Sequence, residues 1–256
     1  MDAVTRFSNR VDDYIKYRPR YPAGIIDFLS AECGLNPDAV IADVGSGTGI
    51  LSELFLKHGN RVYGVEPNPE MREAGERILS GYSSFISVAG SAEATSLTAQ
   101  SVDYITAAQA FHWFDRGRAR AEFERILKPG GWVLLLWNER RTDSTAFLRD
   151  YEELLLTYGT DYNEVRHENV YENIAAFFAP QNFKLKSFEN NQVFDYEGLK
   201  GRLLSSSYVP ASGQPNFDEM LVALRRVFDI HQQDGRVVVE YDARVYYGQL
   251  VPRQQS

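Results

Sequence analysis

Apolar and polar positions along this chain fall into a few distinct rhythms. Val4, Phe7, Val11, Tyr14, Ile15 and Arg18 stand three and four apart, which is one face of a helix. The segment RPRYP at 18–22 breaks that helix, because a residue before proline avoids helical dihedrals, and Pro22 suits the first position of the next helix. That second helix carries Ile25, Ile26, Phe28 and Leu29 toward Cys33-Gly34. From residue 39 to 137 short apolar runs alternate with helical patterns. The runs predict strands over 39–44, 61–65, 85–89, 102–107 and 131–137. Helices are expected at 50–58, 69–79 and 117–127, with a shorter segment after Ser91. Near-continuous apolar strands alternating with helices imply an α/β fold, a doubly wound Rossmann-like sheet that is mostly parallel.

After Trp137 the rhythm changes. Asp143 and Ser144 can cap a helix that carries Phe147, Leu148, Tyr151, Leu154, Leu155 and Tyr158 and stops at Gly159. FKLKSFENNQVFDY (183–196) alternates like a strand, helices are expected near 197–206 and 217–233, and RVVVEYDARVYYGQL (236–250) is again β-rich. The two late strands bring the sheet to seven, and the helices at 144–158 and 197–206 are free to form an added helical cap on its carboxyl edge. The expected organisation is one domain over 1–256. It comprises N-terminal helices at 1–35, a core at 36–140, cap segments with a late strand at 141–234 and a final strand at 235–256.

The bulk numbers narrow the partners. With 27 Lys and Arg against 35 Asp and Glu the net charge is −8, and no basic stripe stands out. The nearest approach to one, Arg6, Arg10, Lys16, Arg18 and Arg20, is interrupted by Asp12 and Asp13 and reads as a solvated helix face, so no nucleic-acid partner is expected. No apolar run approaches the roughly 20 residues of a membrane span. The opening MDAVTRFSNRVDDY has no apolar leader, and one cysteine, Cys33, cannot form an internal disulfide, so a reducing cytoplasm is expected. No Cys/His cluster has zinc-ligand spacing, and no metal is expected.

The chemistry concentrates at AVIADVGSGTGILSELF (39–55), an apolar run entering Gly45-Ser46-Gly47-Thr48-Gly49 and leaving as an amphipathic helix. Glycines let a ligand touch backbone, and helix-end N–H groups attract acceptors, so this is a nucleotide cradle. The dinucleotide fingerprint G-x-G-x-x-G needs a third small residue. Counted from Gly45 that position is the large Ile50; counted from Gly47 it is Ser52. Asp43 beside the loop would add negative charge next to a pyrophosphate. It suits ordering the loop, or receiving an ammonium through water. Glu66, 21 positions after Gly45, stands where an acidic residue takes ribose hydroxyls, in NAD and adenosylmethionine sites alike. After the third strand, the backbone N–H near Ala92 and the carboxylate of Glu93 are placed to read an adenine edge.

Five ordered segments carry a resemblance: DVGSGTG (43–49), GVEPNPEM (64–71), GSAEAT (90–95), AQAFHWF (108–114) and LKPGGWVLL (127–135). The sequence resembles class I S-adenosylmethionine-dependent methyltransferases, in the small-molecule branch that includes ubiquinone-biosynthesis and trans-aconitate methyltransferases. After Trp137 the likeness is one of outline. The resemblance implies S-adenosylmethionine as cofactor. Gly45, Ser46, Gly47 and Gly49 would approach its methionine half, Glu66 and Pro67 its ribose, Met71 its adenine face and Ala92 and Glu93 its adenine edge. Gln109 would lie under it. The N-terminal helices would fold over it, with Tyr14 and Arg18 near its carboxylate or sulfonium, or merely anchoring the first helix.

Methyl transfer is an in-line displacement, so alignment supplies most of the effect. Phe111, His112 and Trp113, with Arg140 and Tyr208, are the candidate acceptor pocket, and aromatic faces suit a sulfonium. His112 is the candidate general base, or a structural hydrogen-bonder; an ionised carboxylate acceptor would need no base. Phe114 reads as core, Arg140-Arg141 as a carboxylate clamp or a solvated pair, and SSSY (205–208) as a polar wall or a helix end. Three rivals remain: an NAD-dependent oxidoreductase, a nucleic-acid methyltransferase, and a non-catalytic adenosylmethionine-binding protein.

Overall fold

The computed structural model describes residues 15–160, 162 and 170–251. Tyr14 and most of the first expected helix lie outside the described residues.

Five strands alternate with helices, save that the fourth follows the third without one. Helix α1 (Gly24–Cys33) leads into β1 (Val40–Val44), α2 (Ile50–His58), β2 (Arg61–Val65), α3 (Pro69–Ile78) and β3 (Phe85–Val88). Then come β4 (Val102–Ala108), α4 (Arg116–Ile126) and β5 (Leu127–Arg140). The sheet order is β3-β2-β1-β4-β5, followed by two further strands, β7 (Val237–Gly248) and β6 (Phe183–Phe194), the latter at the edge. Pairing is parallel from β3 to β5, while β7 runs antiparallel to both β5 and β6. The chain steps outward from β1 to β3, then returns to β4 on the other side of β1. The loops after β1 and β4 therefore diverge, leaving a crevice at the carboxyl edge, where ligands bind in such sheets. One apolar cluster on the sheet includes Val44, Ile105, Phe111, Phe123 and Trp137; a second gathers Ile25, Leu29, Ile41, Phe55 and Leu134.

The remaining helices are α5 (Ala146–Tyr158), α6 (Val170–Phe178), α7 (Tyr196–Leu204) and α8 (Phe217–His231). Strands β6 and β7 pair over twelve positions, but β5 accompanies β7 only as far as Arg140, opposite Tyr241. The overhanging end of the β6–β7 pair presents Phe194, Val237, Val239 and Tyr241. On it pack Leu148, Tyr151 and Leu155 of α5, Leu199 and Leu203 of α7, and Met220, Leu224 and Phe228 of α8. This third core carries a layer of helices past the carboxyl end of β5. Among the described residues no helix is long and apolar enough to cross a membrane.

Four local expectations need correction. Helix α1 starts at Gly24, and the Pro22 carbonyl accepts from Ile25 N–H, so proline stands ahead of the helix rather than at its first position. No helix follows Ser91: Ser91 and Ala94 exchange backbone hydrogen bonds in a tight turn, and the Thr95 N–H is taken by Glu122. Neither Asp143 nor Ser144 caps α5; Thr145 does, its Oγ1 accepting from Leu148 N–H at 3.1 Å, while Ser144 donates to Glu240. The expected turn at 127–131 belongs to β5 as an irregularity, with Leu127 opposite Val102 and Trp132 opposite Tyr104.

Candidate active site

The glycine loop is fixed from three sides. Gly45 and Ser46 N–H both donate to the Val65 carbonyl, at 2.8 and 3.2 Å. Gly45 has φ +68°, and a Cβ there would stand 2.6 Å from Ala110 Cβ, so the backbone passes where no side chain fits. Gly47 lies against the Met71 side chain, which is itself buried. Below the loop, Asp43 is buried and accepts from Ser52 Oγ at 2.6 Å and Thr106 Oγ1 at 2.8 Å. Burial pushes its carboxyl up to about 6, against the pull of those two hydrogen bonds. Asp43 thus ties the first turn of α2 to β4 beneath the loop, and it also reaches the cavity wall.

Glu66, at the end of β2, reaches across. Its Oε2 accepts from Gly47 N–H and its Oε1 from Asn68 N–H, both at 2.8 Å. Burial raises its pKa; the two backbone donors oppose that. A carboxylate has about four acceptor positions, so lone pairs remain for hydroxyls after two are used.

One cavity of about 440 Å³ opens above β1, β4 and β5, within the roughly 300–1,000 Å³ usual for small-molecule pockets. Its sheet-side wall includes Gly45, Ser46 and Gln109. Gln109 holds a left-handed φ of +55°, costly for a non-glycine residue, and its Nε2 donates to the Asn138 carbonyl at 3.2 Å. His112 and Trp113 form an exposed corner of the cavity, rings 4.8 Å apart, on a short 3-10 turn (Phe111–Trp113). The cap side presents Arg140, Arg202, Ser207 and Tyr208, and the N-terminal segment adds Arg18, whose Nη2 donates to the Ser205 carbonyl at 2.9 Å. Arg140 is nearly buried and paired with Glu152, with Tyr162 bonded to both. It is neither a solvated pair with Arg141 nor an uncommitted clamp; Arg141 turns away to Asp242.

The expected residues do not all converge. Phe111 is a correction: it is 2% exposed and packs edge-on against Phe114, Trp137 and Phe177, so it belongs to the core and not to the pocket. Phe114 packs beside it on that core, as expected. Ala92 is buried away from the cavity, and Glu93 accepts from Asp115 N–H at 2.8 Å. Gly47, Gly49, Glu66, Pro67 and Met71 do not line the cavity; Gly47 and Gly49 belong to the loop it borders, and Glu66 and Met71 lie against Gly47. Arg202, Tyr162 and Asn138 were not singled out by the sequence. An arginine three residues from Leu199 on the inward face of α7 is the signal that marks Arg202.

The residues present fit S-adenosylmethionine better than a dinucleotide. Ile50, which lines the cavity, fills the position where a dinucleotide loop needs its third small residue. Among the described residues no His, Cys, Asp and Glu side chains gather as a metal site.

Comparison with known proteins agrees. Residues 42–135 match the family model described as a methyltransferase domain. An uncharacterised methyltransferase-like protein of Schizosaccharomyces pombe is 33% identical over 156 residues, 60% of this chain and 59% of that one. An uncharacterised Mycobacterium tuberculosis methyltransferase is 33% identical over 165 residues, 64% of this chain and 63% of its own. The match thus spans about three fifths of these relatives' length. A solved structure described as a type II methyltransferase from Anaeromyxobacter dehalogenans superposes with a TM-score of 0.70 at 25% identity, covering 93% of this chain and all of that one. Strand order, glycine loop and relatives converge: residues 42–135 carry a methyltransferase domain, similar to those of class I S-adenosylmethionine-dependent methyltransferases.

Proposed function

We propose that this protein transfers a methyl group from S-adenosylmethionine to a small molecule held between the carboxyl edge of the sheet and α7. The observation that carries this reading is a single cavity with two chemically different walls. The glycine loop and Gln109 border one side; arginine and tyrosine side chains of the cap border the other. When bound, S-adenosylmethionine supplies an electrophilic methyl on sulfur.

The chain's own part is placement. The loop from Gly45 through Gly49 offers backbone at close range, and Glu66 keeps acceptor positions for ribose hydroxyls. Met71, with Ala92 and Glu93 further out, is the adenine side, and Pro67 stands beside Glu66 on the ribose side. Arg18 closes the site from the N-terminal segment, and Trp113 offers an aromatic face to positive charge. Holding two partners in line is worth roughly 7–11 kcal/mol when orientation is good. His112, on the cavity corner, serves as base for an acceptor that carries a proton. We place the reaction in the cytoplasm, consistent with one cysteine, Cys33, whose thiol burial pushes up to about 12 and so out of thiolate chemistry.

The test is methyl transfer from tritiated S-adenosylmethionine into a cell extract split into low-mass and nucleic-acid fractions. Label in the low-mass fraction is expected. Label confined to nucleic acid would overturn the small-molecule reading.

A further inference from the structure

Four arginines line the cavity of this acidic chain: Arg18, Arg140, Arg202 and Arg244. Arg140 pairs with Glu152, and Arg244 Nη1 lies 2.9 Å from Glu139. Arg202 is 7% exposed, its Nε donates to Tyr241 Oη and its Nη1 to Ser206 Oγ, both at 3.0 Å. Among the described residues no carboxylate meets it, and its Nη2 has no hydrogen-bond acceptor. A buried guanidinium bonded only to neutral hydroxyls is an incomplete ion pair, stabilised when an anion enters. Tyr241 is held in turn, donating to Gln192 Oε1 at 3.0 Å, so the arginine is fixed in place before any ligand arrives.

We infer that the methyl acceptor carries a carboxylate and that Arg202 is the residue that holds it. This rests on the proposed methyl transfer. The neighbouring Tyr208 reports the same field: burial pushes its phenol up, but Arg202, Arg18, Ser206 and Arg140 outweigh that, and its pKa falls below the ordinary value. Tyr208 and Ser207 line the same cap wall, where the second carboxylate oxygen comes to rest.

The experiment is calorimetric titration of the full chain, loaded with S-adenosylhomocysteine and also unloaded. Ligands are a fixed panel: succinate, tricarballylate, benzoate and 4-hydroxybenzoate, each beside its primary amide, plus phenyl phosphate. The expected result is binding of at least one acid, with its amide weaker by about tenfold or more, as loss of a charge-assisted pair requires. Arg202→Met should lose the acid by a similar factor while keeping its affinity for S-adenosylhomocysteine. If that variant does not fold, the acid and amide comparison on the unmodified protein decides alone. No acid binding in either state, equal binding of acid and amide, or a preference for phenyl phosphate would overturn the assignment. Failure of S-adenosylhomocysteine to bind is a separate result, which counts against the methyl-transfer reading; the unloaded titration still reads Arg202.

Discussion

Glu66 accepts the backbone N–H of Gly47 at 2.8 Å, so the end of β2 holds the loop that follows β1. The same carboxylate is the proposed ribose contact, and its two duties are linked. Glu66→Ala should weaken S-adenosylmethionine binding by roughly 1.5–3 kcal/mol, through lost charge-assisted hydrogen bonds and a looser loop. Titration calorimetry reads this directly; unchanged affinity would take Glu66 off the ribose.

Gly45 tests the loop by shape alone. Alanine there must hold φ +68° and place its Cβ 2.6 Å from Ala110 Cβ. The conformation costs about 1–3 kcal/mol by itself, and the clash adds to it. Because Ala110 leads into the turn that bears His112 and Trp113, Gly45→Ala should lower the thermal midpoint and abolish S-adenosylhomocysteine binding together. A variant with full affinity would show that the loop yields more easily than its contacts imply.

Asp43 makes stability depend on pH. Its carboxyl is raised from 3.8 in the unfolded chain to about 6 in the folded one. The folded protein keeps this proton longer, so the group's contribution is fully present below about pH 4 and is lost as pH rises through 6. The loss amounts to about 3 kcal/mol. Asp43→Asn cannot ionise, so its stability relative to the parent should rise by that order between pH 4 and pH 7. Urea unfolding at both pH values measures it; a constant difference would contradict the account.

Arg140 and Glu152 are each about nine-tenths buried. Removing the acid alone leaves a charge in a dry place, so Glu152→Leu should cost about 3–5 kcal/mol. Removing both, as Arg140→Met with Glu152→Leu, should recover most of that loss, because the pair repays little more than its own desolvation. Denaturant unfolding of the three proteins separates the cases; additive losses would argue against a coupled pair.

How much of this was legible beforehand depended on range. Helix α2 was expected over 50–58 and occupies Ile50–His58, because its start at Gly49 and its stop at Gly59 are written locally. The succession of strands along the chain and the loop between β1 and α2 follow from the same short-range pattern. Phe111 was misplaced because what surrounds it, Trp137 and Phe177, lies 26 and 66 positions away, outside the reach of any local pattern. The α5 cap moved from Asp143 and Ser144 to Thr145 because Ser144 is drawn to Glu240 across the fold. Arg202 acquires its meaning only when α7 packs on β7 and sets it beside Tyr241.

The central claim is the identity of the cofactor. Calorimetric titration of the purified protein with S-adenosylmethionine, S-adenosylhomocysteine and NAD, in parallel, tests it most directly. Micromolar binding of the first two and none of NAD is expected. Binding of NAD alone would contradict it and turn the search toward hydride chemistry.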